Sequence, residues 1–182
     1  MHLSRRTVLR YGLGGALLLA AGGTGLALQT TAPREPRAPL QVLDARTYAI
    51  LAAVADRIAP ERDGFPAASE LQVAEKIDAL LATSDPALGA EVKQVLLLLE
   101  NALAGFVFDG RARPFTKLAP EAQDEVLRAW QSSALHVRRT AYNALHGLCA
   151  AAYYASPAIY ARVGYPGPPD FGNVVRPAGA RP

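Results

Sequence analysis

The stretch ARTYAILAAVADRIA, residues 45–59, decides the fold. Tyr48, Leu51, Val54, Ala55 and Ile58 recur at steps of three and four, which places them on one face of an α-helix. Asp44 stands where an N-cap acceptor is needed, and Pro60 ends the pattern. Nothing in the chain alternates with period two over a strand's length.

Downstream the same period returns. Ser69 and Gln72 have the spacing of a capping box, ahead of Val73, Ile77, Leu80 and Leu81. Asp85-Pro86 reads as a cap with proline at the first helical position. Val92, Val95, Leu96, Leu99, Leu103 and Phe106 then mark a third helix, apolar nearly all round and expected at the centre of the domain. Pro120 starts a fourth, carrying Val126, Leu127 and Trp130, with Ala119 a poor cap before it. A longer helix is expected from about Ala134 to Ala155, and Ser156-Pro157 caps a short last one. The expected fold is all-α, a compact bundle of about five to six helices.

Upstream, residues 29–42 hold prolines at 33, 36 and 39 and read as an extended or flexible linker. Before it, Tyr11–Leu28 is YGLGGALLLAAGGTGLAL, eighteen uncharged residues of which six are glycine. That composition is a weak membrane span. A basic region, an apolar stretch and a polar end make the layout of an export signal. SRRTVLR, residues 4–10, resembles the twin-arginine motif through Ser4, Arg5, Arg6, Leu9 and Arg10, with Val8 where an aromatic is more usual. The resemblance implies a periplasmic protein carried folded across the inner membrane by the twin-arginine translocase. The alternative is an ordinary membrane anchor with a chance arginine pair. Gly25-x-Ala27 offers a cleavage site, while Ala32 is followed by Pro33, which usually blocks processing, so the leader is either removed or kept as an anchor. The expected boundaries are a signal over 1–32, a linker over 33–42, a helical domain over 43–168 and a flexible tail over 169–182.

The chain has 19 Lys and Arg against 16 Asp and Glu, an excess of +3. All of that excess is Arg5, Arg6 and Arg10, so the remainder is neutral and has no electrostatic footprint for nucleic acid. The single cysteine, Cys149, excludes an intrachain disulfide and c-type haem attachment.

No phosphate-cradling glycine loop and no nucleophile elbow is present. His136 and His146 are ten residues apart on one helical stretch, about 15 Å, too far to share an ion. His146 and Cys149 form an H-x-x-C pair one turn apart; they read either as half a metal site or as a half-buried histidine beside a core thiol. Asp56 and Asp63, with Arg57 and Arg62 between them, suit capping or ion pairs better than acid–base chemistry, and Arg138-Arg139 suits a solvated face. No catalytic, cofactor-binding or metal-binding set emerges. What stands out is YYASPAIYARVGYPGPPDFG: Tyr153, Tyr154, Tyr160 and Tyr165 beside a Pro-Gly-Pro-Pro turn. Tyrosines and a pre-ordered turn fit a partner interface over Tyr153, Tyr154, Tyr160, Gly164, Tyr165, Pro166, Gly167 and Pro168. They fit equally the closing of the domain's own core.

LDARTYAILAAVADRIAP, VAEKIDALLA, RPFTKLAPEAQDEVLRAW and YYASPAIYARVGYPGPP together resemble the gluconate 2-dehydrogenase subunit 3 family over roughly residues 43 to 169. The loop GFPAAS departs from the Pro-Gly-Ala-like run expected there. The resemblance implies a non-catalytic small (gamma) subunit with no cofactor of its own. Its implied partners are an FAD-dependent large subunit of the glucose-methanol-choline type and, in some complexes, a cytochrome c subunit carrying haem c. It also implies escort: the flavoprotein folds in the cytoplasm, docks on the small subunit and crosses with it. The competing reading is an independent periplasmic helical protein that binds a small ligand or metal.

Overall fold

The computed structural model describes residues 31–102, 110 and 112–168. The twin-arginine residues Ser4, Arg5, Arg6, Leu9 and Arg10, the helical positions Leu103 and Phe106, and the tail 169–182 lie outside the described residues. Among the described residues six α-helices follow in order: α1 (Ala45–Ile58), α2 (Val73–Ala82), α3 (Pro86–Glu100), α4 (Pro120–Gln131), α5 (His136–Tyr154) and α6 (Pro157–Tyr160). Two 3-10 turns, Phe115–Lys117 and Ala161–Val163, complete the order. The described residues contain no strand, only an isolated bridge between Arg62 and Phe65.

α1 begins as its sequence demands. Asp44 Oδ1 accepts from the Thr47 N–H at 2.9 Å, and Thr47 Oγ1 accepts from the Asp44 N–H at 3.1 Å, a reciprocal cap. Partial burial pushes the Asp44 carboxyl up, but the Thr47 and Arg46 hydrogen bonds outweigh it and hold the pKa below the usual carboxylate value. α3 likewise starts as expected, with Asp85 accepting from the Ala87 N–H at 2.8 Å and Pro86 at the first position. α4 starts at Pro120, with no side-chain bond from Ala119.

Two expected caps are absent. Ser69 does not cap α2: a turn over residues 67–72 intervenes, Gln72 is left-handed at φ 54°, and the Ser69 N–H donates instead to Asp56. Ser156 does not cap α6 with its side chain; its hydroxyl accepts from Lys76 Nζ at 2.6 Å and so ties α2 to the end of α5. At Ser156 a tertiary partner has taken the hydroxyl away from its local role, and at Ser69 the intervening turn moves the helix start beyond its reach.

The centre of the domain is α1, not α3. α1 packs against α2, α3, α4, α5 and the 3-10 turn at Phe115–Lys117, and it buries Thr47, Tyr48, Ala49, Ile50, Leu51, Ala52, Val54 and Ala55. Alanines at 49, 52 and 55 keep the helix thin, so neighbours approach from several sides. α3 is one-sided: Val92, Leu96 and Leu99 are buried, while Leu97 and Leu98 are 37% and 41% exposed. In α2 the buried stripe runs through Val73, Ala74, Ile77, Asp78 and Leu81, leaving Leu80 outside it. Arg138, expected in solvent, is buried with its guanidinium 5.2 Å above the Trp130 ring.

The departure with the largest consequence concerns the linker. Asp78, 2% exposed, accepts three consecutive backbone N–H groups: Gln41 at 2.6 Å, Val42 at 3.0 Å and Leu43 at 2.7 Å. A buried carboxylate needs its lone pairs filled, and three amides in a row do so. α3 closes on the same segment. Lys93 Nζ donates to the Val42 carbonyl at 3.2 Å, and a Cβ on Gly89 would stand 2.9 Å from Val42 Cγ1. The end of the segment read as an extended or flexible linker is thus docked on α2 and α3 as a strap.

Replacing Asp78 with alanine strands three amides, two at least partly buried, and is expected to cost about 3 kcal/mol. Urea unfolding of D78A checks this: the midpoint should fall, with the slope nearly unchanged.

Candidate functional site

Helix α5 carries the tyrosine pair out of the core. Tyr153 is 5% exposed, and its hydroxyl donates to the Pro66 carbonyl at 2.8 Å, tying the loop after α1 to α5. Burial pushes its phenol above the ordinary value. Tyr154, one residue and about 100° further round the helix, is 56% exposed. Its ring stands edge-on to that of Tyr153 at 5.4 Å.

The GYPGPP segment folds back on Tyr160. Gly164 at φ 69° makes the turn, which a residue with a Cβ would adopt only under strain. The Tyr165 N–H then donates to the Tyr160 carbonyl at 2.9 Å, and the two rings meet edge-on at 5.0 Å. Gly167, at φ 100°, brings bare backbone against the Tyr160 ring, with its Cβ position 3.7 Å from Cδ2. The Tyr160 hydroxyl donates to the Ala155 carbonyl at 3.1 Å. Arg162 Nε donates to the Gly64 carbonyl at 2.7 Å, and Arg162 Nη1 also donates to the Ala158 carbonyl.

The residues singled out by sequence therefore separate by role. Tyr153 is a core residue, buried apart from the edge it gives to the groove beside Tyr154. Tyr160 is half-buried and is the post around which residues 164–168 wind. Tyr154, Val163, Tyr165, Pro166 and Pro168 are exposed. A groove of about 430 Å³ lies beside Tyr154, between Pro60, Arg62 and Phe65 of the loop and His146 and Ala150 of α5. Sequence reasoning did not find this groove, because the loop and α5 are more than eighty residues apart.

His146 and Cys149 lie in different surroundings. His146 is exposed, its ring 5.7 Å from that of Tyr142. Cys149 is fully buried, and burial pushes its thiol up to about 12. The thiol lies in the core as the second reading has it, while the histidine, expected half-buried, is exposed. Among the described residues no group of three His, Cys, Asp or Glu could hold a metal ion, and no helix is long and apolar enough to cross a membrane. Asp56 takes the ion-pair role, 2.7 Å from Arg34, while Arg57 lies 3.4 Å from Asp124.

The buried thiol has a measurable consequence. At pH 8 native Cys149 should react with a thiol-specific disulfide reagent about a thousandfold more slowly than in the urea-unfolded chain. Rapid labelling of the native protein would contradict the packing of α5.

No curated protein and no solved structure matches the chain. The family model described as gluconate 2-dehydrogenase subunit 3 does, over residues 45–167, from the first residue of α1 to the Gly167 that packs on Tyr160. The matched region is the whole helical body with its closing turn, and the chain belongs to the gluconate 2-dehydrogenase subunit 3 family.

Proposed function

We propose that this protein is a non-catalytic small subunit that escorts an FAD-dependent dehydrogenase subunit of the glucose-methanol-choline type through the twin-arginine route and stays bound to it in the periplasm. The family is that of an accessory subunit of a dehydrogenase complex. Its partner then supplies the flavin and the substrate site, and a cytochrome c subunit is a further candidate member of the complex. The leader is removed after export or kept in the inner membrane.

The observation that supports the docking part is the pair of exposed tyrosine rings, Tyr154 and Tyr165, each seated edge-on against a second tyrosine. Tyr154 is exposed at the end of α5, Val163 and Tyr165 are exposed on the closing turn, and Tyr160, Gly164 and Gly167 shape that turn. Aromatic rings fixed in advance lose little freedom on docking, so they bind well per unit of buried area. The weakly apolar, arginine-led leader supports export in the folded state, which a flavoprotein loaded with FAD in the cytoplasm requires.

Two measurements test the two halves. Arg5→Lys with Arg6→Lys should strand both this chain and the flavoprotein in the cytoplasm, read by fractionation and dehydrogenase activity; normal export of the large subunit would end the escort reading. Tyr154→Ala with Tyr165→Ala should weaken co-purification of the flavin-containing subunit, with a loss of about 2 kcal/mol, roughly thirtyfold in affinity. Unchanged binding would move the interface elsewhere.

A further inference from the structure

Residues 31–43 are held along their length by groups from separate elements. Thr31 Oγ1 accepts from Arg46 Nε at 3.1 Å, and the Ala32 N–H donates to Thr116 Oγ1 at 3.0 Å. Thr116 in turn donates its hydroxyl to the buried Glu100 at 2.7 Å. Arg34 pairs with Asp56, the Arg37 N–H donates to Glu75 at 3.2 Å, and residues 41–43 end on Asp78. These partners lie on α1, α2, the end of α3 and the 3-10 turn at Phe115–Lys117. The strap can dock only after those elements have packed together.

An endoprotease binds its substrate as an extended strand and pairs with its amides, so backbone already hydrogen-bonded to a folded body is a poor substrate. The leader offers small residues at Ala27 and at Ala32. The second of these lies on the docked strap, its N–H already committed to Thr116.

We propose that the strap is a folding-dependent latch that confines removal of the leader to bonds upstream of Thr31 and closes the Ala32–Pro33 junction in the folded protein. The latch is a property of the folded chain. Its consequence in the cell rests on the export reading, because only a chain exported folded meets the processing peptidase with the strap already docked.

The test uses the full-length chain and proteinase K, with intact mass and N-terminal sequencing of the products. In the native protein the limit fragment should begin at or before Thr31, and cleavage within 32–43 should run at least about a hundredfold slower than in the same chain in urea. The urea control removes the effect of the prolines themselves. D78A should raise the native cleavage rate within 32–43 by at least about tenfold, and R34A by a smaller factor, with helical circular dichroism retained. R34A removes only a half-exposed ion pair, so it keeps the test open if D78A does not fold. Native cleavage within 33–43 as fast as in urea would overturn the latch, as would an exported form beginning at Pro33. A chain that never leaves the cytoplasm would overturn the export reading while leaving the protease limit intact.

Discussion

One buried carboxylate organises the start of this domain. Asp78 sits on the packed face of α2, where an ionised side chain is stable only if its oxygens are filled. The three amides of Gln41, Val42 and Leu43 fill them. In doing so they bring Asp44 to the mouth of α1, where it caps that helix through Thr47. Gly89 and Lys93 of α3 close on Val42 from the other side. Strap, α1, α2 and α3 thus meet around a single side chain.

From that junction the rest of the bundle is laid around α1. A helix with alanine at 49, 52 and 55 is thin enough to be covered from several directions, and its larger residues Ile50, Leu51 and Val54 fill the space between its neighbours. α5 packs against α1, α2 and α4, which sinks Cys149 and Tyr153 and turns Tyr154 outward. Lys76 on α2 reaches Ser156, so the helix that holds the strap is also tied to the end of α5. The strap and the end of α5 are therefore joined through α2.

Much of this was legible in the chain. Period and caps placed five of the six described helix starts within two residues, and Val126, Leu127 and Trp130 are buried as their spacing requires. The strap was not legible as such. Prolines at 33, 36 and 39 constrain the local backbone angle and say nothing about what the chain lies against. The signal that could have found it is Asp78 itself, an acid inside the stripe Val73, Ala74, Ile77, Leu81, where only a partnered charge is tolerated. The tyrosines were equally undivided: Tyr153 and Tyr154 are adjacent in sequence and differ only in the face they occupy.

By itself the sequence determined what depends on near neighbours: the helical class, the caps at Asp44 and Asp85, the neutral body behind a basic leader, and the resemblance that family membership now supports. Tertiary structure alone decided that α1 rather than α3 is the axis, that the linker is a strap, and which tyrosines face outward. The physical reason is range. Helical period and capping act over three or four residues, whereas burial and the filling of a buried carboxylate depend on segments tens of residues apart meeting in space.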